Sequence, residues 1–159
     1  MNINIIAVGK IKEKYLQMGI DEFKKRLSRY CSLNVIEVSD EKAPENLSDK
    51  EVEIVKQREG DRILDKIPPN SFVIALAIEG KNLSSEEFSD KIQSLMVDGV
   101  NDITFIIGGS LGLSKEVLDK SHYKLSFSRM TFPHQLMRLI LLEQIYRAFK
   151  IMKNEPYHK

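Results

Sequence analysis

Apolar residues follow two alternating rhythms along this chain. Ile3 to Val8 is a short continuous apolar run closed by Gly9, the pattern of a buried strand. Leu16, Ile20, Phe23, Leu27 and Tyr30 then recur at helical steps, which predicts an amphipathic helix over residues 12–30. Leu33 to Val38 repeats the strand pattern, and residues 39–47 read as a polar loop around Pro44. Ser48 and Glu51 form a capping box that opens a helix running to about Lys66, where Pro68-Pro69 closes it. A strand from Phe72 to Ile78 follows, then a helix opened by Ser84 and Glu87 and ending near Val97. Next come a strand from Ile103 to Ile107, a short helix from Ser114 to Lys120 and a strand from Tyr123 to Phe127. A last helix runs to Met152 from Pro133, placed at its first position. Strict alternation predicts an α/β fold in one domain over residues 1–159, its sheet mostly parallel with helices on both faces.

The last helix departs from a simple stripe. Leu136, Met137, Leu139, Ile140, Leu141, Leu142, Ile145, Phe149 and Met152 spread around most of its circumference. A sheet covers one face of a helix, so the excess predicts a helix-mediated homodimer; the alternative is that the sheet alone covers it. With 159 residues, 42% of them hydrophobic, the chain is long and apolar enough to bury a core, which excludes the disordered and fibrous classes. The single Cys31 excludes an internal disulfide and points to a reducing compartment. No apolar run is long enough to span a membrane, and the first residues lack the basic and apolar regions of a signal peptide. A cytoplasmic protein without a membrane partner is expected.

The net charge of +1 hides an asymmetry. Residues 120–159 carry eight Lys/Arg against Glu143 and Glu155, a balance of +6, while the other 119 residues carry 16 basic against 21 acidic groups. A basic C-terminal third suits a phosphate-rich substrate such as a nucleic acid, although an unpartnered basic face is the plainer reading. Arg138 and Arg147 on the final helix fit phosphate contact or a solvated face equally.

Candidate chemistry concentrates in the same region. Ile106-Ile107-Gly108-Gly109-Ser110-Leu111-Gly112 reads as a buried strand ending in a glycine turn, where a ligand can approach the backbone. Leu125 to Gln135 reads as a second strand, a loop and a helix start. Two such strand-end loops side by side make a crevice for a small ligand. Gly108 to Gly112 also fits the G-x-S-x-G nucleophile elbow, with Asp119 and His122 or His134 as triad partners of Ser110. Against a hydrolase, no oxyanion segment is present and no further strand places Asp119. Neither a G-x-G-x-x-G fingerprint nor a Walker A sequence occurs, and His122, His134 and His158 lack zinc-ligand spacing, so no metal is expected. The terminal Tyr157-His158-Lys159 offers a phenol, an imidazole and a cation on what reads as a loose end.

Together, the Gly108-Gly109-x-x-Gly112 turn, the Leu125–Gln135 loop, Glu143-Gln144-Ile145-Tyr146-Arg147-Ala148 and the Pro156-Tyr157-His158 tail resemble the RlmH family of ribosomal large-subunit methyltransferases. The resemblance runs over the whole chain, including Ala7-Val8-Gly9-Lys10. It implies a SPOUT-type fold with a C-terminal trefoil knot, a feature that periodicity does not report. It also implies a homodimer that uses S-adenosylmethionine to methylate N3 of a pseudouridine in helix 69 of 23S rRNA within the assembled ribosome. The cofactor pocket would then use Leu76, Gly108, Phe127, Ser128, Arg129, Met130, Thr131 and Phe132. His158 and Tyr157 become candidates for proton transfer, and Arg147 and Lys159 for holding phosphate or uracil charge. A non-catalytic RNA- or ribosome-binding module is the alternative; binding of S-adenosylmethionine without metal discriminates between them.

Overall fold

The computed structural model describes residues 1–42 and 44–159. Among them strands and helices alternate in the expected order: β1 (Asn2–Val8), α1 (Lys14–Leu27), β2 (Ser32–Val38), α2 (Asp49–Lys66), β3 (Phe72–Asn82), α3 (Ser85–Val97), β4 (Asp102–Ile107), α4 (Lys115–Lys120), β5 (Tyr123–Ser126) and α5 (His134–Met152). The strands form one sheet in the order β2-β1-β4-β3-β5, and every neighbouring pair is parallel. All strands therefore point one way, and the loops that follow them share one edge of the sheet. β1 and β4 lie at its centre in register, Ile5 beside Phe105 and Ile6 beside Ile106. Burial on both faces explains why these strands read as continuous apolar runs rather than alternating ones.

Alternate positions along each strand feed different cores. Ile3, Ile5, Ile103, Phe105 and Ile107 pack with Ile20, Phe88, Ile92, Leu141 and Ile145, so α1, α3 and α5 cover one face. Ile6, Val8, Val73 and Ile106 pack with Ile63, Leu113 and Val117, so α2 and α4 cover the other. The capping boxes at Ser48 and Ser84 are both formed. Ser114 caps α4 by accepting the Val117 N–H.

Three elements differ from their sequence reading. β3 runs four residues beyond Ile78, because Leu76 and Lys81 both sit opposite Leu125 and the chain between them bulges out and returns. Gly80 makes that return possible: a Cβ there would lie 2.7 Å from the Lys124 carbonyl carbon. Pro133 is the cap of α5 rather than its first residue. Arg138 is neither solvated nor free for phosphate; it is 3% exposed, donating to Glu37 at 2.5 Å and to the Gly9 carbonyl at 2.6 Å. That pair ties α5 to the ends of β1 and β2.

α5 buries Leu141, Leu142, Ile145, Ala148 and Phe149, while Leu136, Met137, Leu139 and Ile140 stay partly exposed. Gly19 lets α1 pack against Leu139, and the exposed Tyr15 and Met18 lie on the same helix. The sheet thus covers part of α5 and leaves apolar surface along its N-terminal half. No helix among the described residues is long and apolar enough to cross a membrane.

Candidate functional site

The edge where the strands end holds a cavity of about 740 Å³. Leu76 to Glu79 of β3 form one wall, the turn from Ile107 to Leu113 a second, and Leu125 to His134, except Arg129, the third. Met137 of α5 and Lys56 of α2 close it.

Each wall is shaped locally. In the turn, the Gly112 N–H donates to the Gly109 carbonyl at 3.1 Å, and Gly112 takes φ +89°, a conformation only glycine adopts without strain. A Cβ on Gly108 would sit 3.0 Å from the Gly112 carbonyl carbon, so the turn closes only on a bare backbone. In the loop after β5, Ser126 Oγ donates to the Ser128 carbonyl at 3.0 Å and the Met130 N–H donates to Ser128 Oγ at 2.9 Å. Asn82, in the extension of β3, donates to the Ser126 carbonyl at 3.0 Å. The extension therefore anchors the loop that forms the third wall.

The lining is mainly apolar, and its titratable groups are Lys56, Glu79 and His134. Burial, and then the neighbouring Arg138 cation, hold His134 below the ordinary histidine range, so the imidazole is neutral near pH 7. Among the described residues no group of His, Cys, Asp and Glu could hold a metal ion.

Of the residues expected in a cofactor pocket, Leu76, Gly108, Phe127, Ser128, Met130, Thr131 and Phe132 all line the cavity. Arg129 does not; it is exposed beside it. Ile78, Glu79, Lys56 and Met137 are lining residues that the sequence reading missed. Glu79 lies beyond Ile78, where the apolar run of the strand ends, and Met137 is one of many apolar residues on a helix whose surplus points to an interface.

Tyr157, His158 and Arg147 are brought together, but away from the cavity. Tyr157 donates its phenol proton to Glu143 at 2.6 Å, and Arg147 pairs with the same carboxylate at 2.6 Å. His158 Nδ1 lies 3.1 Å from the Arg147 guanidinium, and its Nε2 lies 2.6 Å from Glu86. Arg147 can only donate, so Nδ1 accepts and Nε2 carries the proton given to Glu86. The tail is thus docked on α3 and α5 rather than loose. Met137 and Arg147 stand ten residues apart on α5, roughly 15 Å at 1.5 Å per residue.

The hydrolase arrangement is not assembled. Ser110 is exposed, Asp119 pairs with Lys115 at 2.9 Å, and His122 Nδ1 accepts the Val73 N–H at 2.9 Å.

A parallel sheet with a ligand-sized cavity between a glycine turn and a second strand-end loop is the architecture of a small-molecule-binding α/β protein. The family model described as "Predicted SPOUT methyltransferase" matches residues 1–158, and the chain belongs to the SPOUT methyltransferase family. It is similar over its full length, and theirs, to three proteins each named "Ribosomal RNA large subunit methyltransferase H". Identity is 69% with the protein of Clostridioides difficile, 67% with that of Carboxydothermus hydrogenoformans and 65% with that of Alkaliphilus oremlandii.

Proposed function

We propose that this methyltransferase uses S-adenosylmethionine to methylate N3 of a pseudouridine in helix 69 of 23S rRNA within the assembled ribosome. It acts as a cytoplasmic homodimer of one-domain subunits, without a metal, and its C-terminal part threads as the trefoil knot of the resembled family. The cavity carries the reading. Its volume of about 740 Å³ suits a nucleoside-sized ligand, and its walls combine apolar side chains with a glycine turn that carries few side chains. Leu76, Phe127 and Phe132 would hold the adenosyl part, while Gly108 and the Ser128–Thr131 backbone would hydrogen-bond its polar edges.

The bound cofactor supplies a methyl made electrophilic by a sulfonium. The protein's part is to align that methyl with N3, exclude water and take the N3 proton. Burial and the bond to Glu143 push the Tyr157 phenol up to about 12, so it donates a hydrogen bond and does not serve as base near neutrality. His158 is the remaining candidate in the tail. Its Nδ1 lone pair is engaged by Arg147, so it takes a proton only after that contact opens. Once released, Arg147 can stabilise the uracil anion. The roughly 15 Å between the tail and its own cavity along α5 supports a site made from two subunits, one giving the cavity and its partner the tail. The partly exposed Leu136, Leu139 and Ile140, with Tyr15 and Met18 of α1, supply the apolar surface for that contact.

Calorimetry with S-adenosylmethionine, paired with labelled-methyl transfer to ribosomes, tests the reading. The wild type should bind without metal and label ribosomes, and Gly108→Val should do neither while staying folded. Binding unchanged in Gly108→Val would remove the assignment of the cavity.

A further inference from the structure

Glu59 is buried, 5% exposed, on the face of α2 that packs behind the glycine turn. Its Oε1 and Oε2 lie 3.1 and 3.4 Å from the position a Cβ would take on Gly109. Oε2 accepts the Glu41 N–H at 3.0 Å, which binds the same carboxylate to the segment after β2. One turn along α2, Arg62 donates to the Ser39 carbonyl at 2.9 Å and pairs with the Glu41 side chain. Gly60 continues the contact, since a Cβ there would overlap Ser114 Oγ at the start of α4. Glu59 therefore stands between the segment after β2 and the turn that walls the cavity.

The carboxylate is poorly suited to a purely structural place. Burial, opposed only in part by the Glu41 N–H and the Arg62 cation, raises its pKa above the ordinary carboxylate value, and the Asp40 and Glu41 carboxylates add to the rise. Arg62 is the facing cation, and it is committed to Glu41. Val8 of β1 and the glycine turn bring no charge. A group whose pKa is raised on folding destabilises the fold as pH rises through and above its unfolded value. Folding alone would be served better by an uncharged side chain.

We propose that Glu59 is a positioning residue for the cofactor, its ionised carboxylate bracing Gly109 from behind and fixing the glycine turn against the segment after β2. This rests on the reading of the cavity as the S-adenosylmethionine site. The brace keeps the Gly108–Gly112 backbone in its binding geometry without entering the cavity.

The test compares wild type and Glu59→Gln, which keeps the volume and removes the charge. Thermal midpoints and calorimetric S-adenosylmethionine affinity are measured at about pH 8 and about pH 5.5. Glu59→Gln should melt no lower than wild type at the higher pH, yet bind about tenfold more weakly. Wild-type affinity should fall more steeply toward the acid end than that of Glu59→Gln, because only the wild type has the Glu59 charge to lose. Ionisation of the ligand and of His134 is common to both proteins, so the difference isolates Glu59. Equal affinities with equal pH dependence would overturn the proposal, as would a loss of affinity that only tracks a lowered melting point. If Glu59→Gln fails to fold, Glu59→Asp, which keeps the charge but draws it back from Gly109, takes its place, and an affinity equal to wild type overturns the brace. A wild type that binds no S-adenosylmethionine would instead overturn the reading of the cavity, and the brace with it.

Discussion

Ser110 sits at the centre of a motif that spells a hydrolase nucleophile, yet its hydroxyl is exposed, and Asp119 and His122 are engaged elsewhere. Replacement by alanine should leave methyl transfer within about twofold, as for an ordinary surface change. An ester-hydrolysing activity that disappears in Ser110→Ala would reverse this. His134 makes the opposite case, a residue with little sequence signal that lines the cavity. Its pKa is lowered on folding, so the unfolded chain binds more protons below the ordinary histidine value. Its contribution to stability is complete above pH about 6.5 and is lost as pH falls through and below that value. The thermal midpoint of His134→Gln should show a weaker acid-side decline than wild type. For His158, substitution by alanine should lower the methyl-transfer rate and alter its pH profile near neutrality if the imidazole is the proton acceptor. A lowered rate with an unchanged profile would assign it to positioning alone.

The extended β3 and the docked tail are the elements whose behaviour the structure changes most. The β3 return crosses the backbone of β5 at Gly80, where no flexible side chain can move aside. Gly80→Ala should therefore destabilise the protein by about 1–3 kcal/mol, the range for overpacking a filled site. Denaturant unfolding measures this, and a midpoint equal to wild type would show that β5 can shift. The same variant should weaken cofactor binding, because Asn82 anchors the loop at Ser126. Deleting Pro156 to Lys159 removes the Tyr157–Glu143 and His158–Glu86 bonds but no part of the cavity. Cofactor affinity should stay near wild type while methyl transfer to ribosomes falls strongly. Full activity of the truncated enzyme would leave the tail a purely structural clasp.

At the scale of the whole molecule, one chain holds a cavity at one end of α5 and a polar tail cluster toward the other. The proposed two-subunit site requires a two-fold pairing, through the N-terminal half of α5 and the exposed side of α1, that brings a tail toward the opposite cavity. Sedimentation should show a dimer at micromolar concentration. Replacing Met18 and Leu139 with glutamate should give a monomer that keeps most of its cofactor affinity and loses methyl transfer. A wild type that sediments as a monomer and still labels ribosomes would defeat the two-subunit site.

The elements were legible because their physics is local. Two capping boxes form as Ser48-x-x-Glu51 and Ser84-x-x-Glu87 dictate, and continuous apolar runs give parallel strands buried on both faces. The glycine turn and the Phe127–Phe132 loop were legible as ligand-binding pieces, since each follows a buried strand. The SPOUT resemblance came from several such pieces together. What only the tertiary structure decided was long-range placement. The pairing of both Leu76 and Lys81 with Leu125 depends on a strand more than forty residues later in the chain. Arg138 looked like a surface cation, but the ends of β1 and β2 bury it. Glu59 looked like one more acidic residue on a charged helix, and only the fold sets its carboxylate against Gly109. A side-chain pattern reports which face of its own element is apolar; which backbone that face will meet depends on how the whole chain packs.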